Sequence, residues 1–197
     1  MAKVSRSVVS THWLFEKLQG SNLRVLDGTW NFPSLGQNLD EEYEACHIPG
    51  SVRFDVEVCR DNSSPYHHML PTPQHFMDYV GERGIDNKNH VIIYDNHPSL
   101  GLFSAPRVWW MFRVFGHEKV SVLNGGLPKW MRENKPVTSQ TTVTKKKNFK
   151  VSFNKALLKN FDEMTENIEC QSYKVFDARS ADRFYARAIG HYKGTKM

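Results

Sequence analysis

The sharpest change of hydrophobic period in the chain lies between Val91 and Gly116, VIIYDNHPSLGLFSAPRVWWMFRVFG. Four apolar or aromatic residues, Val91 to Tyr94, form a short run bounded by polar positions, which reads as a buried strand. Asp95 to Gly101 then supplies turn-forming residues. From Ser104 the period becomes helical, with Val108, Met111, Phe112 and Phe115 spaced by three and four. Ser104 is placed to cap the first turn, and Pro106 suits that turn because its missing N–H would be unpaired there anyway. Gly116 ends the helix. The stretch predicts strand, tight loop, helix.

The same patterning runs through the rest of the chain. A short helix is expected over His12–Leu18, capped by Ser10-Thr11, and a strand over Leu23–Asp27. One helical turn is expected at Glu41–Glu44. A Pro-Gly turn at His47–Ser51 feeds a strand, Val52–Phe54. Thr72-Pro73 opens a helix that carries Phe76, Tyr79 and Val80 and ends at Gly81 and Gly84. Val120–Leu123 reads as a strand and Leu127–Glu133 as a helix with Trp130 buried. Strands alternating with helices imply parallel pairing and an α/β layer sandwich. The expected module covers residues 8–137. Val25, Ile92, Ile93, Val122 and Leu123 should lie in its buried sheet, Val91–Tyr94 should be an internal strand, and Trp109 and Phe112 should face inward.

Pro136 to Lys150 is polar, Thr-rich and basic, with no helical period. It predicts a surface linker over 138–150. After it, earlier patterns return. Val151-Ser152 with Leu157-Leu158 parallels Val9-Ser10 with Leu14 and Leu18. Lys174–Asp177 parallels Arg24–Asp27, and Gly190–Thr195 parallels His47–Ser51. A duplicated module is expected, with residues 151–197 forming an incomplete second copy that stops after its first strand and turn. Such a partial module cannot cover its own strand, so Leu157, Leu158, Val175 and Phe176 must dock elsewhere or stay exposed.

Composition narrows the partners. The 197 residues are 40% hydrophobic and include 12 phenylalanines, enough for a sizeable core. The net charge of +5 is modest, and the run Lys145–Lys147 with Lys150 lacks the wider basic face that nucleic-acid binding needs. No apolar run approaches membrane-spanning length. Three cysteines, Cys46, Cys59 and Cys170, are odd in number and irregular in spacing, which argues against a disulfide framework or a zinc site and for a reducing compartment. His67, His68 and His75 lack helical ligand spacing and partner carboxylates, so no metal and no cofactor is expected. Lys3 and Arg6 precede the first acid, Glu16, which fits mitochondrial import; the mitochondrial matrix or the cytoplasm is the expected location.

The strand–loop–helix stretch also bears on chemistry. Loop amides ahead of a helix form a cradle of N–H donors, and the helix dipole adds positive potential. A nucleophile belongs at the strand's end, where this chain has Asp95. A carboxylate is a poor sulfur or phosphate acceptor and opposes anion binding in the cradle. The alternative is that Asp95 caps the loop. No residue of the chain is assigned a catalytic role: none of the three cysteines opens a loop-to-helix cradle, and phosphatase chemistry would need a cysteine and an arginine that 95–101 lacks.

Several motifs occur in an order that carries a resemblance. Tyr43–Phe54, with His47-Ile48-Pro49-Gly50-Ser51 at its centre, resembles the N-terminal rhodanese signature, with serine at 51 where the family usually has alanine. Pro106–Arg113 followed by Phe115-Gly116-His117, and Leu123–Trp130, resemble the first module of the two-domain sulfurtransferases. Asp177-Ala178-Arg179-Ser180 with Arg183-Phe184 resembles the start of their second module. The resemblance covers residues 8 to about 185. It implies a rhodanese-like three-layer sandwich with a mostly parallel sheet, a non-catalytic first module with an acidic residue, here Asp95, at the inactive cradle position, and a truncation within the second module. It also implies transfer of sulfane sulfur from thiosulfate or 3-mercaptopyruvate, through a cysteine persulfide in the second module, to cyanide, small thiols or thioredoxin. Arg183 matches the arginine that binds the donor's anionic group, and Arg179 is the weaker candidate. The competing expectation is a non-catalytic module that binds a partner or regulates a full-length relative.

Overall fold

The computed structural model describes residues 6–97 and 102–187. The chain divides into two compact units, Met1–Leu157 and Leu158–Met197. The first holds a five-stranded sheet made of β1 (Val8–Val9), β2 (Leu23–Asp27), β3 (Ser51–Arg53), β4 (His90–Tyr94) and β5 (Val120–Leu123). The spatial order is β1-β5-β4-β2-β3, and every pair is parallel. Val91–Tyr94 therefore lies in the central strand. Its register sets Ile92 beside Val25 on one side and Ser121 on the other.

Helices cover both faces of the sheet, which is why its strands are apolar without polar alternation. Successive side chains of a strand point to opposite faces. Val91 and Ile93 join Leu26, Phe76, Val108 and Phe112 under α3 (Pro73–Glu82) and α4 (Ala105–Val114). Ile92 and Tyr94 join Leu14, Ile48, Leu123 and Trp130 under α1 (Thr11–Lys17) and α5 (Gly126–Arg132). One more helix, α2 (Leu39–Ala45), precedes the His47–Ser51 turn. The expected core residues Val25, Ile92, Ile93, Val122, Leu123, Phe112 and Trp130 are all buried. Trp109 is half-buried at the core's margin, its indole N–H donating to the Val120 carbonyl at 3.2 Å.

Residues 138–157 form an irregular strap over this first unit. Thr138 pairs with His47 through two backbone hydrogen bonds of 2.9 Å, and Lys147 N donates to the Gly81 carbonyl at 2.9 Å. Phe149 is buried against Phe76 and Phe112. Ser152 N and Asn154 N donate to the carbonyls of Phe115 and Val114. Gly116 matters here because its φ is +84° and an added Cβ would overlap the Ser152 carbonyl oxygen. A left-handed backbone is costly for any residue with a Cβ. Gly116→Ala is expected to cost about 2 kcal/mol, read as a lower urea midpoint at unchanged m value. An unchanged midpoint would mean that the strap does not press on this turn.

The second unit differs from the sequence expectation. It holds α6 (Phe161–Cys170) and α7 (Ala181–Phe184), with no strand among its described residues. Lys174–Asp177, expected as a strand, has strand-like composition but no neighbouring strand to pair with. Val175 and Phe176 are 63% and 88% exposed. Leu157-Leu158, the segment that parallels Leu14 and Leu18, lies outside any α-helix. Lys155–Leu157 is a short 3-10 turn, and Asn160 caps α6 in a reciprocal capping box with Glu163. The parallel between Gly190–Thr195 and His47–Ser51 lies outside the described residues.

Candidate functional site

The cradle forms where β4 ends. Asp95 is fully buried, and its Oδ2 accepts the amide N–H groups of Phe103, Ser104 and Ala105 at 2.7, 2.9 and 2.9 Å. Ser104 does not cap α4 with its own side chain, contrary to the sequence expectation. Its hydroxyl instead accepts the Trp30 amide at 3.0 Å, tying the β2 loop to the helix start. The Asp95 carboxylate has taken the capping role, because the end of the central strand faces the N-terminus of α4 and a charged acceptor binds its amides more strongly than a hydroxyl. Asp95 is thus an internal anion that fills the cradle with its own charge. Pro98 to Gly101, expected as part of this turn, lie outside the described residues.

A second buried carboxylate supports the loop from β2. Asp27 Oδ1 accepts the Thr29 amide at 2.9 Å and the Thr29 hydroxyl, and that hydroxyl accepts the Asn96 amide at 3.0 Å. Burial pushes the Asp27 pKa up, against the opposing pull of the Thr29 bonds and of Arg53. Arg53 in turn donates to the Thr29 carbonyl at 2.8 Å and to Asp40 at 2.9 Å. The cradle's rim is therefore anchored to β2 and β3.

Beside the rim is an apolar cavity of about 300 Å³ lined by Trp30, Val56, His68, Phe103, Ser104 and Arg107. Glu57 organises its polar edge. One carboxylate oxygen accepts the Trp30 indole N–H at 3.0 Å and lies 3.5 Å from His68 Nδ1. His68 meets Trp30 edge-on at 4.8 Å, and its carbonyl accepts from the Arg107 guanidinium, which stacks 4.5 Å over Trp110. Burial holds the His68 pKa below its ordinary value despite Glu57. Chemically this is a pocket with an aromatic wall, one oriented imidazole and one guanidinium. Sequence reasoning misses it: His68 reads as a surface or loop histidine rather than a metal ligand, and Trp30, Glu57 and Phe103 come from three separate loops.

The remaining candidates are distributed as follows. Arg179 is engaged by Asp177, its Nε lying 2.9 and 2.8 Å from the two carboxylate oxygens. Arg183, on α7, is exposed and makes no ion pair among the described residues. Both belong to the second unit; Asp95 belongs to the first. Cys59 is buried, and desolvation pushes its thiol up to about 12. Cys46 closes α2, half-buried and also raised by burial. Cys170 ends α6, exposed, with the Ser172 hydroxyl donating to its sulfur and lowering its pKa. None of the three stands in a loop-to-helix cradle. No cluster of metal-ligating side chains occurs among the described residues.

Comparison with known proteins agrees with the fold. Residues 38–133 match the rhodanese-like domain family. Thiosulfate sulfurtransferase of Rattus norvegicus is 47% identical over 183 residues, which is 91% of this chain and 61% of that protein. The 3-mercaptopyruvate sulfurtransferase of Homo sapiens is 42% identical over 186 residues, 92% of this chain and 62% of that protein. The crystal structure of SseA from Escherichia coli, described as a 3-mercaptopyruvate sulfotransferase with the rhodanese fold, superposes with a TM-score of 0.86 at 35% identity, covering 93% of this chain and 69% of SseA. The chain thus spans about three-fifths of the length of these two sulfurtransferases.

Proposed function

The chain belongs to the rhodanese family, and from that premise we propose that it supplies the non-catalytic first module of a sulfurtransferase acting on thiosulfate or 3-mercaptopyruvate. The observation that carries this reading is the Asp95 cradle. Its three convergent amides could steady a thiolate, yet they are satisfied by a carboxylate that cannot accept sulfur. In the proposed reaction a cysteine thiolate of a full-length relative's second module, for which this chain has no counterpart among Cys46, Cys59 and Cys170, attacks the donor's outer sulfur. The bond from that sulfur to the donor breaks, and sulfite, or the enolate of pyruvate, leaves with the electron pair. The resulting persulfide passes its outer sulfur to a small thiol or to thioredoxin. Within the first unit, the cavity of Trp30, Phe103, His68 and Arg107 combines an apolar wall with an imidazole that Glu57 orients. Arg183 is the proposed partner of the donor's anionic group, since its side chain is exposed and closes no salt bridge among the described residues, whereas Arg179 is paired with Asp177.

The test is turnover by the chain as it stands. Purified protein of residues 1–197 is expected to form no thiocyanate from thiosulfate and cyanide, and no pyruvate from 3-mercaptopyruvate, above a protein-free control. Cys46→Ser, Cys59→Ser and Cys170→Ser are the accompanying variants. Turnover that disappears with one of them would show that the chain carries its own nucleophile. A second reading, a non-catalytic module that binds a partner, draws on the second unit, where Phe161, Ile168 and Phe176 are 83%, 75% and 88% exposed.

A further inference from the structure

At the N-terminal edge of the sheet, opposite the edge that holds the Asp95 cradle, lies a cleft of about 530 Å³. Its floor is the start of β2 with the turn before it; its walls are the Pro49-Gly50 turn, Gly84 and the strap from Thr142 to Lys147. The charged residues of the lining are Arg24, Lys145 and Lys147, and no carboxylate is among them. A cleft lined by one sign of charge focuses the potential and concentrates the opposite charge.

Each cation is differently available. Arg24 is half-buried and folded against its own strand, its Nε donating to the Gly84 carbonyl at 3.1 Å and its Nη1 to the Leu23 carbonyl at 2.7 Å, so its guanidinium is held in place. Lys147 bridges Asp86 at 3.1 Å and reaches Asn89 at 3.4 Å. Lys145 is exposed and makes no ion pair among the described residues. Two acids that meet the strap are already engaged: Asp86 by Lys147 and Glu82 by Lys146.

The strap adds neutral donors. It is fastened at one end by the His47–Thr138 pair and at the other by Lys147 N on the Gly81 carbonyl. Between these points, the amides of Val143, Thr144 and Lys145 donate no hydrogen bond among the described residues, while the Thr144 hydroxyl holds the strap to the Glu82 carbonyl at 2.9 Å. Val143, Thr144 and Lys145 all belong to the lining of the cleft. Leu18, Leu23, Val25 and Pro49 contribute apolar surface to the same lining.

We propose that this cleft is a binding site for a compact oxyanion, a phosphate or carboxylate group on a small molecule, gripped by Arg24 and Lys145 with the strap amides. Binding there pins the strap between its two fastenings. The site is independent of sulfur transfer, so its failure leaves the reading of the cradle untouched, and the reverse.

The experiment is an amide NMR titration of the full chain with inorganic phosphate and, separately, with citrate, each against sodium chloride at matched ionic strength. The expected result is saturable shifts at Gly50, Gly84 and Val143–Lys145 that chloride does not reproduce. A stronger response to citrate assigns a carboxylate ligand, and a stronger response to phosphate a phosphorylated one. Lys145→Gln is expected to weaken binding about threefold and the double variant Arg24→Gln, Lys145→Gln about tenfold, as suits one exposed and one held charge. Lys145→Glu, which leaves every structural hydrogen bond in place, is expected to abolish it and stands in if the double variant fails to fold. Equal shifts with chloride, shifts confined to other surfaces, or wild-type affinity in Lys145→Glu would overturn the proposal.

Discussion

Asp95→Ala is expected to lower the stability of the first unit by about 4 kcal/mol, against total stabilities of about 5–15 kcal/mol for domains of this kind. The wild-type carboxylate satisfies three amides at the start of α4 and is fully buried. Each hydrogen bond to a charged group contributes about 1.5–3 kcal/mol, and each buried donor left unpaired costs about 1–3 kcal/mol. Their full sum is not reached, because removing a buried charge also removes its desolvation penalty and water can enter the space. Asp95→Asn keeps one carbonyl oxygen for the same amides but loses the charge, and about half the loss is expected. Asp95→Cys is the informative third variant. A thiolate at the same position gains the same amides and the helix dipole, so its pKa should lie below that of a free thiol, measured by the pH dependence of iodoacetamide alkylation. Urea unfolding of the alanine variant that differs from wild type by less than 1 kcal/mol would show that the cradle is held by other contacts.

That substitution also shows where sequence reasoning stops. The strand Leu23–Asp27 and the helix after Thr72-Pro73 were legible because each has a clean period and a local start signal, and the structure places both as expected. Thr72 caps α3 through the His75 amide, a contact three residues away. The contact that caps α4 spans eight to ten residues across a loop and depends on where β4 ends. No local signal distinguishes Ser104, which had the better cap chemistry in sequence, from Asp95, which had the better position in space. Strand β1, Val8–Val9, was missed because two residues carry no period. The opposite error occurred at Lys174–Asp177, where a strand pattern pairs with no strand among the described residues. The capping box of Asn160 and Glu163 was present in the sequence as an Asn and a Glu three residues apart, a local signal that the apparent repeat obscured. The cavity of Trp30, Glu57, His68 and Phe103 is assembled wholly by tertiary structure, so its chemistry is visible only once the loops are in place.

His117 gives a prediction of stability against pH. It follows the Gly116 turn, is 3% exposed, and packs against Phe112 and Phe149 with ring centroids 5.7 and 5.4 Å apart. Its Nε2 has no hydrogen-bond partner, so a proton added there would be a buried charge without an acceptor. Burial therefore lowers its pKa to about 4; Lys119 and His90 push the same way, and contacts with the backbone of Asn89 and Lys119 only partly oppose. In the unfolded chain the ring titrates near its ordinary value of about 6.5. Above that pH both states are neutral and the group has no linkage. As pH falls from about 6.5 toward 4, the unfolded chain binds a proton that the folded chain excludes, so stability falls. The difference of about 2.5 pK units corresponds to a loss on the order of 3 kcal/mol, complete below pH 4. His68 and His90, whose pKa values are also lowered by burial, add to the same slope, while Asp27, raised by burial, opposes it. His117→Phe keeps a ring between Phe112 and Phe149 and removes the titration. Urea unfolding at pH 4.5, 5.5, 6.5 and 7.5 should show the wild type losing stability toward acid and the variant losing markedly less. Parallel pH profiles for the two proteins would show that His117 is protonated in the folded state or that its ring reaches solvent.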